Sequence, residues 1–142
     1  MKGNGTGRAR WLAWLALLLS LGAGGAQGQA AGYVDVLEIE GAVTPIMVSY
    51  IQRGINAAEA DGAAALVVLL NTPGGQTDLM NRVISAILAS DVPVVVYVYP
   101  RGAYAASAGT LITLAAHAAV MAPGTTIGAA SPVGGQGEDL GE

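Results

Sequence analysis

Three short runs of β-branched and aliphatic residues, at 34–39, 66–70 and 94–99, are each followed by a Gly or Pro break and predict three buried strands. Between them the apolar positions change to helical spacing. Thr44 followed by Pro45 is an N-cap with proline at the first helical position, and Met47, Ile51, Ile55 and Ala58 then fall on one face. A second helix is predicted with Thr77 as its cap. Its apolar stripe is Leu79, Met80, Val83, Ile84, Ile87 and Leu88, and it stops before Asp91 and Pro93. An Ala- and Gly-rich third helix is expected over about 104–116, and a fourth strand over 118–122. Strands alternating with helices at this spacing predict right-handed β-α-β units with parallel strands, an α/β fold. From 134 to 142 the residues are Gly, Gln, Glu and Asp with one Leu, which predicts no closing element and marks the domain as a partial one.

Composition changes how that core must be built. The 142 residues include 27 Ala and 21 Gly and no Phe, so packing depends on Val, Ile and Leu and on close backbone approach around small residues. The absence of Cys excludes disulfides, thiolate zinc sites and a cysteine nucleophile. No cofactor and no metal are expected. A net charge of −4 argues against binding a phosphate backbone, which draws on clustered Lys and Arg, so nucleic acid is not an expected partner.

The first residues read as a targeting segment. Lys2, Arg8 and Arg10 precede an uncharged run at 11–21 and small residues at 22–26, the three regions of a secretory signal, with cleavage expected after Ala26 or Gly28. The apolar run falls short of the ~20 residues that span a bilayer as a helix. Residues 1–28 are therefore set apart as a signal peptide and 29–142 as the domain. Beyond residue 26, three arginines face ten acids and no lysine remains, which removes one candidate general base.

Two segments carry candidate chemistry. The second strand runs into Asn71-Thr72-Pro73-Gly74-Gly75 with a helix directly after it, a glycine turn at the carboxyl end of a strand. Without side chains in the way, Gly74 and Gly75 let a substrate carbonyl approach backbone N–H groups, as an oxyanion hole requires. Taken alone, the same tripeptide is also an ordinary turn. The other segment, 101–109, places Ser107 in the first turns of the third helix among residues no larger than Ala, where its hydroxyl is reachable. A lone Ser in such a helix is equally a packing residue.

Other titratable residues fit chemistry less well. His117 stands ten residues beyond Ser107, about 15 Å along a shared helix, too far for proton transfer, and reads as a helix-end His near terminal carbonyls. Glu38 and Glu40 alternate on a strand and share one solvated face, Asp78 suits a helix start, and Asp35 carries no stronger signal.

In combination, strand, Pro-Gly-Gly, helix, strand and Gly-x-x-Ala-Ala-Ser-x-Gly resemble the Clp-protease and crotonase fold. The signal segment narrows the resemblance to the NfeD family, membrane-bound Clp-class serine proteases known as stomatin operon partner proteins. It spans about 34–133 and rests on Glu38-Ile39-Glu40-Gly41-Ala42-Val43-Thr44-Pro45, Asn71-Thr72-Pro73-Gly74-Gly75, Tyr104-Ala105-Ala106-Ser107-Ala108-Gly109-Thr110 and Met121-Ala122-Pro123-Gly124-Thr125-Thr126-Ile127-Gly128-Ala129. The resemblance implies that Ser107 is the nucleophile and that the N–H groups of Gly75 and Ala108 form the oxyanion hole. Gly74 and Gln76 would then touch substrate, with Thr77 and 125–127 bordering the cleft.

The family's base is a lysine in a helix beyond the 127–129 stretch, which is expected past Glu142, so these 142 residues alone are expected to be inactive. Soluble Clp proteases place a catalytic His near the position of 128–131, where this sequence has none. The resemblance further implies apolar, membrane-associated protein substrates, among them a stomatin-like protein, together with homo-oligomerisation, an extracytoplasmic location, and downstream transmembrane and β-barrel parts. Two other readings stand beside the protease: an inactive scaffold module for a membrane partner, supported by the missing lysine, and a crotonase-type thioester enzyme. Export and the lack of a basic cluster for coenzyme A phosphates argue against the latter.

Overall fold

The computed structural model describes residues 32–131. The expected signal peptide and the polar stretch from 134 onward lie outside the described residues. Four strands form a parallel sheet: β1 (Val34–Glu40), β2 (Ala65–Asn71), β3 (Val94–Val98) and β5 (Ala118–Met121), in the order β1-β2-β3-β5. Helix α1 (Pro45–Asp61) links β1 to β2, α2 (Thr77–Leu88) links β2 to β3, and α3 (Ala108–Leu114) precedes β5. Each crossover steps across the sheet in the same direction. Right-handed connections then put every helix on one face.

That face is the core. Ile39, Leu66, Val68, Leu70, Val94, Val96 and Val98 are buried against Val48, Ile51 and Ile55 of α1 and Leu79, Val83 and Ile87 of α2. The expectation of three strands buried throughout needs correction at β1. It is an edge strand, and Val34 and Val36 on its other face are 47% and 58% exposed. The reason is topological, because with all helices on one side no described element lies over the second face.

The cap of α1 is as expected, with the Thr44 hydroxyl accepting a hydrogen bond from the Met47 N–H at 3.2 Å and Pro45 opening the helix. Replacing this hydroxyl, Thr44→Ala, is expected to lower stability by about 1 kcal/mol, read as a shift of the denaturant midpoint at unchanged slope. For α2, Thr77 is the first helical residue rather than the cap. Gln76 takes the cap position with no side-chain bond, so the helix begins without a hydroxyl cap, and Asp78 in its first turn supplies the favourable charge. Leu88, at the end of this helix, is 67% exposed and not part of the buried stripe.

The predicted third helix is shorter than expected. Residues Tyr104–Ala106 form a strand, β4, which pairs in parallel with β6 (Thr126–Gly128) in a second, two-stranded sheet. The Tyr104 carbonyl accepts from Thr72 N–H (2.7 Å) and the Thr72 carbonyl accepts from Ala106 N–H (3.0 Å), so the backbone of 104–106 is committed to partners distant in sequence. Such pairing overrides the helical preference of alanine. No described helix is long and apolar enough to cross a membrane.

Candidate active site

The site lies where β2 leaves the sheet and β4 turns into α3. At the first of these points the chain folds back at Gly74, whose φ of 105° is open only to residues without a Cβ. Its buried N–H donates to the Thr72 hydroxyl at 3.1 Å, and its carbonyl accepts from Val43 N–H at 2.8 Å. The bond to the Gly74 carbonyl holds the peptide unit that carries the Gly75 N–H, and the bond from the Gly74 N–H holds the unit before it.

At the second point, Ser107 joins strand to helix with φ 51° and ψ −118°. The expectation that it sits within the first turns of a helix is thus corrected: it is the residue immediately before α3. A non-glycine residue in this backbone region is strained by roughly 1–3 kcal/mol, and strand-to-helix turns of this kind present a nucleophile outward. The surrounding structure enforces the conformation. Ser107 N–H donates to the Gly128 carbonyl at 2.8 Å, and the Ser107 carbonyl accepts from Thr110 N–H at 3.0 Å.

The two turns touch. A Cβ added at Gly74 would lie 2.8 Å from Ser107 Cβ and 3.1 Å from Ala108 N, so no side chain fits between them. Neither the Gly75 nor the Ala108 N–H has an acceptor among the described residues. Two free donors beside a half-buried serine hydroxyl form a geometry able to bind the oxygen of a carbonyl under attack. Gly75 and Gln76 are exposed, which leaves that side open to a substrate.

His117 is not part of this arrangement. Its ring Nδ1 accepts from Val94 N–H at 3.2 Å, while the His117 backbone N–H donates to the Val94 carbonyl at 3.0 Å. Val94 begins β3, so the imidazole stands at the amino end of the parallel sheet and the serine beyond its carboxyl end. The reading of His117 as a partner of helix-end carbonyls is corrected as well, since α3 has already ended at Leu114 and the ring serves as an acceptor. Glu38 and Glu40 are both exposed and border an open groove of about 370 Å³ with Ala42, Ile46, Met47 and Tyr50. Of the expected cleft border, Thr126 and Ile127 are exposed in β6, and the Thr125 hydroxyl donates to the Ala122 carbonyl at 2.6 Å.

Sequence reasoning missed Thr72, Thr110 and Gly128. The Thr110 hydroxyl accepts from Gly128 N–H at 2.8 Å and faces the Ala105 and Gly128 carbonyls at 2.8 and 2.7 Å, clasping α3 to β6. The signal was present as two hydroxyls within otherwise apolar or small-residue segments, one directly before Pro-Gly-Gly and one three residues after the serine.

The profile of the NfeD1b N-terminal domain matches residues 33–142. Over 110 residues the chain is 44% identical to the membrane-bound protease PH1510 of Pyrococcus horikoshii, covering 78% of this chain and 25% of that protein. It is 36% identical over 104 residues to the membrane protein NfeD1b of Bacillus subtilis, covering 73% of this chain and 23% of that one. Among solved structures, the 1510-N membrane protease of Pyrococcus horikoshii, specific for a stomatin homolog, superposes with a TM-score of 0.67 at 47% identity, over 70% of this chain and 50% of that chain. A lysine-to-alanine variant of 1510-N in complex with a substrate peptide gives 0.72 at 43% identity, over 78% of this chain and 52% of that one. A ClpP1 variant from Listeria monocytogenes, 21% identical with a TM-score of 0.58 over 70% of this chain and 57% of its own, shares the fold. The chain thus spans about a quarter of the curated relatives it matches and about half of the solved protease chains. Since the profile takes in every strand and helix described, the chain belongs to the NfeD1b N-terminal domain family, with a Clp-like α/β fold.

Proposed function

We propose that this domain is the catalytic part of a membrane-associated serine endopeptidase acting on apolar segments of membrane proteins, a stomatin-like protein among them. The observation that carries the reading is Ser107, held at positive φ between β4 and α3 with the free N–H groups of Gly75 and Ala108 beside it. Similarity to membrane-bound and stomatin-specific proteases supports it.

In the proposed reaction, Ser107 Oγ attacks the scissile carbonyl while its proton passes to the neutral amine of a lysine supplied from outside these 142 residues. The carbonyl oxygen, now carrying the charge, is held by Gly75 and Ala108 N–H. The adduct collapses as the lysine returns the proton to the leaving amine, which leaves an acyl ester on Ser107. Water, giving a proton to the same lysine, then attacks the ester carbonyl, and the lysine passes that proton to Ser107 Oγ as the ester bond breaks and the acid leaves. Gly74, by lacking a side chain, lets the glycine turn close against the serine turn, and Gln76 borders the entry. Homo-oligomerisation and export belong to this proposal through the family resemblance.

The reading is tested by incubating the full-length protein with an apolar peptide from the carboxyl-terminal part of a stomatin-like protein and with a Gly/Ser-rich peptide of equal length. Cleavage of the first and not the second is expected; a folded protein that cleaves neither contradicts the reading. His117→Ala is expected to leave kcat/KM within about twofold, because the ring lies at the opposite end of the sheet. A loss of ~100-fold or more at an unchanged thermal midpoint would place His117 in the mechanism and contradict this reading.

A further inference from the structure

We propose that Thr72 is a positioning residue that sets both arms of the oxyanion hole, an inference that rests on the serine-protease reading. Thr72 is fully buried at the end of β2 and makes contacts in two directions. Toward the glycine turn, its hydroxyl oxygen accepts the Gly74 N–H at 3.1 Å. Toward the serine, its backbone N–H donates to the Tyr104 carbonyl at 2.7 Å and its carbonyl accepts from Ala106 N–H at 3.0 Å. Its methyl group closes the contact, since a Cβ added at Gly109 would lie 2.5 Å from Thr72 Cγ2.

One residue thus anchors the backbone leading into both donors, the 73–74 peptide ahead of Gly75 and the β4 segment ahead of Ser107 and Ala108. Val43 N–H holds the 74–75 peptide from one side through the Gly74 carbonyl and Thr72 Oγ1 holds the 73–74 peptide from the other; with the second hold lost, the wide φ and ψ range of Gly74 lets the turn shift and carry the Gly75 donor away from the oxyanion. Gly74 is also buried, so an N–H left without Thr72 Oγ1 has no water to turn to, and the turn must move to satisfy it. The hydroxyl therefore acts on the charged transition state, where donor placement counts, more than on substrate binding.

The test compares Thr72→Val, which keeps the shape and removes the acceptor, with Thr72→Ser, which keeps the acceptor. In the full-length protein, Thr72→Val is expected to lower kcat by about 10- to 100-fold with KM within about twofold, and Thr72→Ser to retain kcat within about threefold. Amide hydrogen exchange is followed in parallel, and the Gly74 N–H is expected to exchange faster in Thr72→Val and at the wild-type rate in Thr72→Ser. Wild-type kcat in Thr72→Val, or a change confined to KM, overturns the assignment. If Thr72→Val does not fold, Thr72→Ser decides alone: a loss of more than about tenfold there shows that the hydroxyl is not the operative group. Altered Gly74 exchange in Thr72→Val, with no peptide hydrolysis by the wild type, upholds the anchor and faults the protease reading instead.

Discussion

Ser107→Ala is expected to reduce peptide hydrolysis by the full-length protein by about 10⁴-fold or more while leaving the protein folded. The size follows from the chemistry, since without Oγ no acyl ester forms and only the oxyanion donors and substrate positioning remain, and residual rates in serine hydrolases of that kind are far below wild type. Survival of the fold follows from the surroundings. The bonds that hold residue 107 in place run through its backbone, from its N–H to the Gly128 carbonyl and from its carbonyl to Thr110 N–H, and an alanine makes both. Both side chains meet the same disfavour at φ 51°, so the strain is unchanged. Hydrolysis measured on variant and wild type, with thermal midpoints alongside, checks the expectation. Retained hydrolysis at an unchanged midpoint would remove Ser107 from the mechanism.

Gly74→Ala is expected to be as damaging to activity and, unlike Ser107→Ala, to weaken the fold. Its Cβ would stand 2.8 Å from both the Ala106 carbonyl oxygen and Ser107 Cβ, and 3.1 Å from Ala108 N. Two of the three atoms are backbone, so relief requires the β2 turn and the serine turn to separate, which displaces the Gly75 and Ala108 donors relative to each other. Overpacking of this kind costs about 1–3 kcal/mol, with further strain from placing Ala at φ 105°. Gly124→Ala is the matched control. Gly124 also has positive φ, 75°, but an added Cβ there meets nothing within 4 Å. Its loss should stay near the backbone contribution of roughly 1–2 kcal/mol with activity kept. Denaturant unfolding and kcat/KM on the pair separate crowding at the site from the cost of a left-handed alanine; equal effects would show that Gly74 is needed only for its backbone angle.

Much of the fold was legible in the sequence because burial imposes periodicity. The runs at 66–70 and 94–99 alternate between a helix-covered face and a less covered one, and Ile51, Ile55 and Ala58 sit where a helix lying on a sheet must be apolar; the first position of that stripe is Val48, with the expected Met47 only partly buried beside it. The short strands were not legible. Tyr104–Ala106 and Thr126–Gly128 carry three residues each, too few to show a period, and what makes them strands is bonding to one another and to Thr72 across the chain. The same blindness explains Ser107. Motif resemblance pointed to its chemistry, but an Ala-rich context reads as helix, and the turn at Ser107 exists only because Gly128 and Thr110 hold its backbone. His117 was misread for a related reason, as its partner Val94 stands 23 positions away.

A nucleophilic Ser107 beside two free N–H donors should react with a fluorophosphonate, whose phosphorus takes the place of the attacked carbonyl carbon. Treating the full-length protein with this reagent and locating the adduct by peptide mass mapping is expected to give a single adduct on Ser107, absent in Ser107→Ala and slowed in Thr72→Val. An adduct on another residue, or none on a protein that cleaves its peptide, would contradict the assignment of Ser107 as nucleophile.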